Sequence, residues 1–488
     1  MTRNTFVFGI GGTGARVIRA MTMLLAAGTE LAHDGKIIPV IIDVDAENED
    51  TSRTIKALDL YKKIRAGAYG DNSEKKPGFF GTSLNTLSSQ RSSEGDKIRD
   101  EFQLKFAGIS SSFASYLKFA DMEGIDNEFM KLLYDASPKD KPEAELNLEL
   151  TKGFKGNPNI GCIIFNELEN SPEFKYFLSA IGEHDRIFIV SSIFGGTGSA
   201  GFPQLLKLLK GNRNNHVSSA RTGAVTIMPY FSVQEDKGSA IDSTRFISKT
   251  KAALSYYEHE MESLDSMYYI YDKPGSTPYE NNEGGRAQRN NAHVVELIAA
   301  TALINFTNRP DAAFDGKTQY YEYGIKRNES TLNLSHFFEE TRRSVLRPLT
   351  AFTYAAKAWT EFVPGQLKEA FAQDLELDKS LTTNAFYQVL TAFIKEHYIP
   401  WLKEMGVNNR TFKPFDLDAD FNSLVQGKPI KTGLFSKGIS EGYLKEHFGK
   451  IQNRLKATIA KPETRTMMLL SEVAEKCFEK LEDMPAIA

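Results

Sequence analysis

Two short glycine runs constrain this chain more than anything else in it. Gly9-Ile10-Gly11-Gly12-Thr13-Gly14 follows the apolar run Phe6-Val7-Phe8, and Gly195-Gly196-Thr197-Gly198-Ser199-Ala200-Gly201 follows Arg186 to Ser192. Each time a strand runs into glycines and then into helix-forming residues, Ala15 to Ala27 after the first run and Phe202 to Leu209 after the second. Glycine lets the backbone approach phosphate closely, and a helix N-terminus favours negative charge. One such turn alone also suits a dinucleotide-binding fingerprint, with Asp43 or Asp45 on the ribose, or a tight βα turn with no ligand. Two turns in one sheet suit a ligand with several phosphate oxygens, shared between two helix N-termini, with Thr197 and Ser199 adding hydroxyl donors.

The rest of the first half keeps the same rhythm. Ile37 to Ile42, Gly223 to Met228 and Ser266 to Tyr271 are further short apolar strands. Continuous apolar strands separated by helices predict an α/β fold with a parallel sheet covered on both faces. Residues 46–150 break the pattern with Lys, Glu and Asp clusters and with serines 83, 88, 89, 92 and 93, and read as a polar helical insertion with loops. A strand signal at Tyr320 to Lys326 is followed by helical periodicity over His336 to Trp359, Asn384 to Tyr398, Ile439 to Ala460 and Thr466 to Met484. The expected division is a nucleotide-binding domain over 1–310, with a central helix at about 290–304, and a mostly helical domain over 311–488. Two domains also suit 488 residues.

Net charge is −4, which gives no pull toward nucleic acid or anionic lipid. The two cysteines, Cys162 and Cys477, form no metal spacing and no disulfide framework, so a cytoplasmic location and no metal-binding side chains are expected. Met1 to Thr5 runs straight into a strand, so no signal peptide is expected, and no apolar run reaches membrane-spanning length.

The run GGTGSAG resembles the tubulin signature GGTGSG, with Ala200 at one glycine position. Four further segments resemble the tubulin/FtsZ superfamily in the right order. They are Gly9 to Gly14, Asp43-Val44-Asp45-Ala46, Gly153 to Gly161 (GFKGNPNIG) and Val225 to Phe231 (VTIMPYF). The resemblance is to a divergent, bacterial-type tubulin-like protein and covers about two-thirds of the chain. It implies GTP or GDP as ligand, with a Mg²⁺ ion held mainly by phosphate oxygens and water. It assigns nucleotide contacts to Gly11, Gly12, Thr13, Gly14, Asp45, Ala46, Gly156, Asn157, Gly195, Gly196, Thr197, Gly198 and Ser199. It also implies that an amide at the start of the central helix, Asn290 or Asn291, reads guanine, although helix capping explains either asparagine as well. His293 on this helix reads as a core residue.

The resemblance breaks at the loop after the central helix. The family pattern there is Asn-x-Asp, whereas this chain has Asn305-Phe306-Thr307, with Asp311 and Asp315 further on. Threonine cannot orient water as a carboxylate does, so the catalytic residues are left unassigned and slow or absent hydrolysis is expected. The resemblance further implies head-to-tail self-association, with one subunit completing the site of the next, and says nothing of what the helical C-terminal region binds. The alternatives are a Rossmann-type NAD(P) oxidoreductase, for which no His or Lys is placed as acid or base, and a structural protein with a vestigial nucleotide site.

Overall fold

Strands covered on both sides need no polar alternation, and the sheet is built from such runs. The computed structural model describes residues 3–481 apart from 46, 73, 91–97, 107–108, 110–111, 135–144, 235–245, 261–262, 274–277, 281–284, 324–329 and 431–437. Strands β1 (Thr5–Ile10), β2 (Lys36–Ile42), β3 (Ser83–Leu84), β4 (Gln103–Leu104), β5 (Arg186–Ser192), β6 (Arg221–Ile227), β7 (Ser266–Ile270) and β8 (Gln319–Tyr323) form one sheet of eight strands. Its order is β3-β2-β1-β5-β6-β7-β8, with β4 also on β2, and every pairing is parallel. β1 and β5 lie side by side at the centre, Gly9 opposite Val190, and both are buried along their whole length.

The principal helices are α1 (Gly11–Ala26), α2 (Glu49–Tyr69), α3 (Gly196–Lys210), α4 (Val294–Asn308), α5 (Glu339–Lys357) and α6 (Pro462–Phe478). Side-chain alternation along β1 sorts them by face. A Cβ on Gly9 would meet Ile18 of α1. Phe6 and Phe8 point the other way, onto Phe177 of the helix Pro172–Ala180, and Ile10 faces Gly201 of α3. The helix α4 lies on the α1 face, where its Phe306 packs on Phe188, the register neighbour of Val7. Outside it, α5 packs on α4 and α6, and α6 reaches α2.

This arrangement contains one unusual connection. β1-α1-β2 and β7-α4-β8 lie on the same face but step toward opposite edges of the sheet, so their hands are opposite. The β5-α3-β6 step, on the other face, shares the hand of β1-α1-β2. Since about 98% of such crossovers are right-handed, β7-α4-β8 is the left-handed exception. The result is that α4 is enclosed between the sheet and the C-terminal helices, and it is apolar nearly all round.

Several boundaries differ from the sequence reading. Residues 46–150 are not set apart from the sheet. Their α2 packs along α1, and β3 and β4 extend the β2 edge. The polar look of α2 arises because Asp50, Thr51, Thr54 and Arg65 are buried polar residues rather than solvated ones. Ser92 and Ser93 lie outside the described residues. Both glycine-rich helices begin within the glycine runs, at Gly11 and Gly196. The central helix starts at Val294 rather than near 290, because His293 caps it and Glu296 closes a capping box, and it continues through Thr307 to Asn308. β8 joins the main sheet, so the chain beyond 310 is not wholly separate from it; positions 324–326 of that expected strand are not described. Two expected continuous helices contain π-helical turns, Ala358–Phe362 and Phe393–Tyr398. No helix among the described residues is long and apolar enough to cross a membrane.

Candidate functional site

The sheet order reverses between β1 and β5, and ligands of open α/β sheets bind at such a switch point, beyond the carboxyl ends of the strands. Both glycine turns leave from this point. Gly11 takes φ +69°, and a Cβ there would lie 3.2 Å from Cβ of Thr197, so the two turns touch. Gly14 and Gly198 serve packing, since a Cβ would come within 2.5 Å of Gly9 C and 2.7 Å of Ser192 O respectively. Gly12, Thr13, Gly195 and Thr197 are the half-buried members that line the accessible floor. Ser199 is buried, and its hydroxyl donates to the Gly195 carbonyl of its own helix.

The other expected segments arrive at the same place. In Gly153-Phe154-Lys155-Gly156 three residues have positive φ, including the non-glycine Lys155 at 44°. Such strain is held only where surroundings fix it and clusters at ligand clamps. Here it brings the Gly156 amide nitrogen to 2.8 Å from where a Gly196 Cβ would stand, and a Cβ on Gly153 would stand 3.8 Å from Oγ1 of Thr197. Lys249 donates to the Gly156 carbonyl. Asn157 sits at the N-cap of the helix Pro158–Ile164 without a side-chain cap bond. Asp45 accepts from the Glu47 and Gly285 amides at 3.0 and 2.6 Å and is buried. Ala46 lies outside the described residues. Asp43 accepts from Asp45 N, Asn48 and Thr51, and burial pushes its carboxyl up to about 7.

Two residues at the floor were not found from the sequence. Asn48 caps α2 and lies 3.1 Å from a Cβ built on Gly12, and its Nδ2 donates to Gln288, which faces the same glycine. The signal for Asn48 was present, an asparagine directly before Glu49-Asp50 at a helix start. Of the two asparagines expected to read a base, Asn290 is held by Asp50, to which its backbone N and its Nδ2 donate at 3.0 and 2.7 Å. Asn291 is exposed.

A buried ionic hub stands behind the first turn. Arg16, one helical turn past Gly12, donates to Glu296 at 2.5 Å, Asp50 at 2.8 Å, the Tyr230 hydroxyl at 2.9 Å and more weakly to Thr13 Oγ1 at 3.4 Å. Burial alone would lower Arg16, but Tyr230, Glu296 and Asp50 hold its guanidinium well above the ordinary value. Burial pushes Glu296 up against the pull of Arg16. His293 is pushed down to about 3 by burial and then by Arg16 and Arg410, so it stays a neutral cap accepting from the Val295 amide.

The loop expected to carry catalytic acids is at the other end of the sheet. Asn305 accepts from Tyr268, and Thr307 is buried in the last turn of α4. Asp311 pairs with Arg3 and with Arg186, the first residue of β5. Asp315 is tied to the Lys317 amide. With β5 seven residues long, Asp311 stands about 20 Å from the glycine turns of its own chain.

No protein-family model and no curated protein matches the chain. Solved structures similar to it include CetZ1 from Haloferax volcanii as a GDP-bound monomer, at 13% identity over 64% of this chain and 62% of that one, with a TM-score of 0.29. CetZ2 from Haloferax volcanii, a GTPγS-bound protofilament, is 13% identical over 64% of this chain and 61% of that one, TM-score 0.29. TubZ of Bacillus thuringiensis serovar israelensis, a GTPγS-form protofilament, is 11% identical over 55% and 46%, TM-score 0.24. The chain spans less than two thirds of the length of each. CetZ and TubZ are members of the tubulin/FtsZ superfamily.

Proposed function

We propose that this chain binds a guanine nucleotide, GTP or GDP, across the two glycine-rich helix starts, and that copies assemble head to tail. The observation that carries the reading is the contact of Gly11 with Thr197, which sets two helix N-termini side by side at the switch point. A triphosphate has the charge and the number of oxygens to use both. Guanine is favoured by the motif resemblance, and base reading is assigned to Asn291 or, with release from Asp50, to Asn290. Among the described residues no group of three or more His, Cys, Asp or Glu side chains could hold a metal ion; a Mg²⁺ ion bound with the nucleotide would rest on phosphate oxygens and water, neutralising phosphate charge. Asp43 and Asp45 are both engaged by neighbouring donors, which disfavours the ribose role that a dinucleotide oxidoreductase needs.

Head-to-tail assembly is supported by the separation of the glycine turns from the Asp311 loop, at opposite ends of the same strands. Only a second copy can bring such a loop to the nucleotide, and a heterologous contact of that kind propagates into a filament. Hydrolysis is expected to be slow, because Asp311 is held by two arginines and Thr307 is enclosed.

The test is thermal unfolding with GTP, ATP, NAD and NADP, since a ligand of the folded state raises Tm by mass action. The expected result is a shift with GTP that is lost in Gly12→Val, whose Cβ first meets the side-chain ends of Asn48 and Gln288. A shift with NAD alone, or a GTP shift kept in Gly12→Val, overturns the assignment.

A further inference from the structure

The C-terminal helical region reaches the nucleotide site through one carboxylate. Glu404, on the helix Ile399–Met405, pairs with Arg19 of α1 at 3.0 Å and with Arg53 of α2. It also accepts the Ala292 amide at 3.0 Å, and Asn408 donates to the Ala292 carbonyl at 2.7 Å. The side chains are almost wholly enclosed, with 3% of Arg19, 11% of Arg53 and 13% of Glu404 exposed. Arg53 passes the contact onward by donating to the Asn290 carbonyl at 3.2 Å. Asn290 is held by Asp50, Asp50 by Arg16, and Arg16 reaches Thr13 in the first glycine turn. From Glu404 to Thr13 each step has a charged partner, which strengthens a hydrogen bond, and the last, Arg16 to Thr13 at 3.4 Å, is the weakest.

Resting on the nucleotide reading above, we propose that Glu404 is a positioning residue for that site: from outside the sheet it fixes α1, α2 and the segment 290–292 against one another, and so sets the first glycine turn and the Asn290 side of the pocket. Glu404 touches no ligand itself. Its role accounts for why α1 places a buried arginine and α2 a half-buried one toward the C-terminal helices, where an apolar residue would pack without needing a partner. Coupling is reciprocal, so a nucleotide that orders the first turn must also steady the helix carrying Glu404.

The experiment compares the full chain with Glu404→Gln, which keeps the shape and removes the charge. GTP affinity is measured well below the unfolding temperature, and backbone hydrogen exchange is followed with and without GTP. The expected result is binding weaker by at least about fivefold in Glu404→Gln, within the usual range of coupling between sites. GTP should slow exchange over Ile399–Met405 in the parent and not in the variant, while Gly196–Gly198 is protected in both. A merely structural role predicts no GTP-dependent protection of that helix at all. Should Glu404→Gln not fold, Arg53→Lys gives the same readings, since lysine keeps the charge but lacks the planar fork that reaches Glu404 from one nitrogen and the Asn290 carbonyl from the other. Affinity within about twofold of the parent, or no GTP-dependent protection of Ile399–Met405 in the parent, overturns the proposal. Failure of the parent to bind GTP overturns the nucleotide reading and takes this inference with it.

Discussion

Replacing Arg16 by methionine separates the hub's charge from its volume. The guanidinium is 5% exposed and its two carboxylate partners 1% each, so solvent does not soften the loss. Breaking a buried pair by removing one partner costs about 3–5 kcal/mol, because the other charge is left uncompensated. The structure narrows that figure. Asp50 keeps both bonds from Asn290, at 3.0 and 2.7 Å, and has Arg53 at 4.0 Å, so it is not left without partners. Glu296 keeps the His293 amide and the Tyr230 hydroxyl but loses the cation it is bonded to. Burial already pushes its carboxyl up, and without Arg16 it takes a proton. Holding a carboxyl of ordinary value 4.5 neutral costs about 1.4 kcal/mol for each pH unit above that value, so about 3 kcal/mol at pH 7 and about 0.7 at pH 5. A raised folded value means that the folded state holds the extra proton, and stability is lost as pH rises. The gap between parent and Arg16→Met should therefore widen from pH 5 to pH 7, by at most about 2–3 kcal/mol, because the parent's own raised carboxyl already carries part of that dependence. Urea unfolding followed by far-UV circular dichroism at several pH values reads this directly. A gap that does not change with pH, or no gap at pH 7, would refute the reasoning.

His293→Ala should cost about 1 kcal/mol through the lost cap of α4, and His293→Asn most of that less, both read as a change in Tm. Because burial lowers the folded value of His293 from 6.5 to about 3, the unfolded chain takes up a proton that the folded one refuses. The parent should lose stability as pH falls from about 6.5 toward 3, and His293→Asn should lose less over that range. Asp311→Asn should cost about 1 kcal/mol or less, since Asp311 is 59% exposed and solvent screens it. Although burial would raise it, Arg186 and Arg3 hold that carboxyl below its ordinary 3.8, so the difference from the parent is present above about pH 4 and closes as pH falls further. Phosphate release, measured across protein concentrations, should be unchanged in Asp311→Asn; turnover lost with GTP binding kept would make Asp311 the missing acid.

The strands were legible because burial on both faces leaves nothing to disguise. Arg186–Ser192 is a strand at the bounds its apolar run suggests, β1 extends the expected run by three residues and β2 by one. What failed was the inference from polarity to exposure. The helix α2 carries Asp50, Thr54 and Arg65 inside the protein, and a polar sequence with little amphipathic stripe reads as a surface insertion whether its charges meet water or one another. The left-handed β7-α4-β8 step was hidden for a different reason. Local pattern marks a strand, a helix and a strand, but the face on which the helix lies is decided by what it packs against, here α1 and the C-terminal helices.

The same division runs through the site. The glycine turns are local features, because a strand end, a tight turn and a helix start occupy consecutive residues, and Gly11 beside Thr197 follows once β1 and β5 are neighbours. Arg16 gave no such signal. Its partners stand 34, 214 and 280 residues away, at Asp50, Tyr230 and Glu296, and Glu404 lies 385 residues from Arg19. None of these spacings has a period, and each residue taken singly reads as a solvated charge or a helix-face residue. Yet a buried arginine requires acceptors, and buried carboxylates require donors. The enclosure of α4 and the hub therefore depend on each other. If the C-terminal helices did not cover α4, Glu296 and Asp50 would meet water and Arg16 would be free to leave Thr13. With the cover in place the guanidinium has nowhere else to go, and the first glycine turn is held from behind by residues gathered from the whole length of the chain.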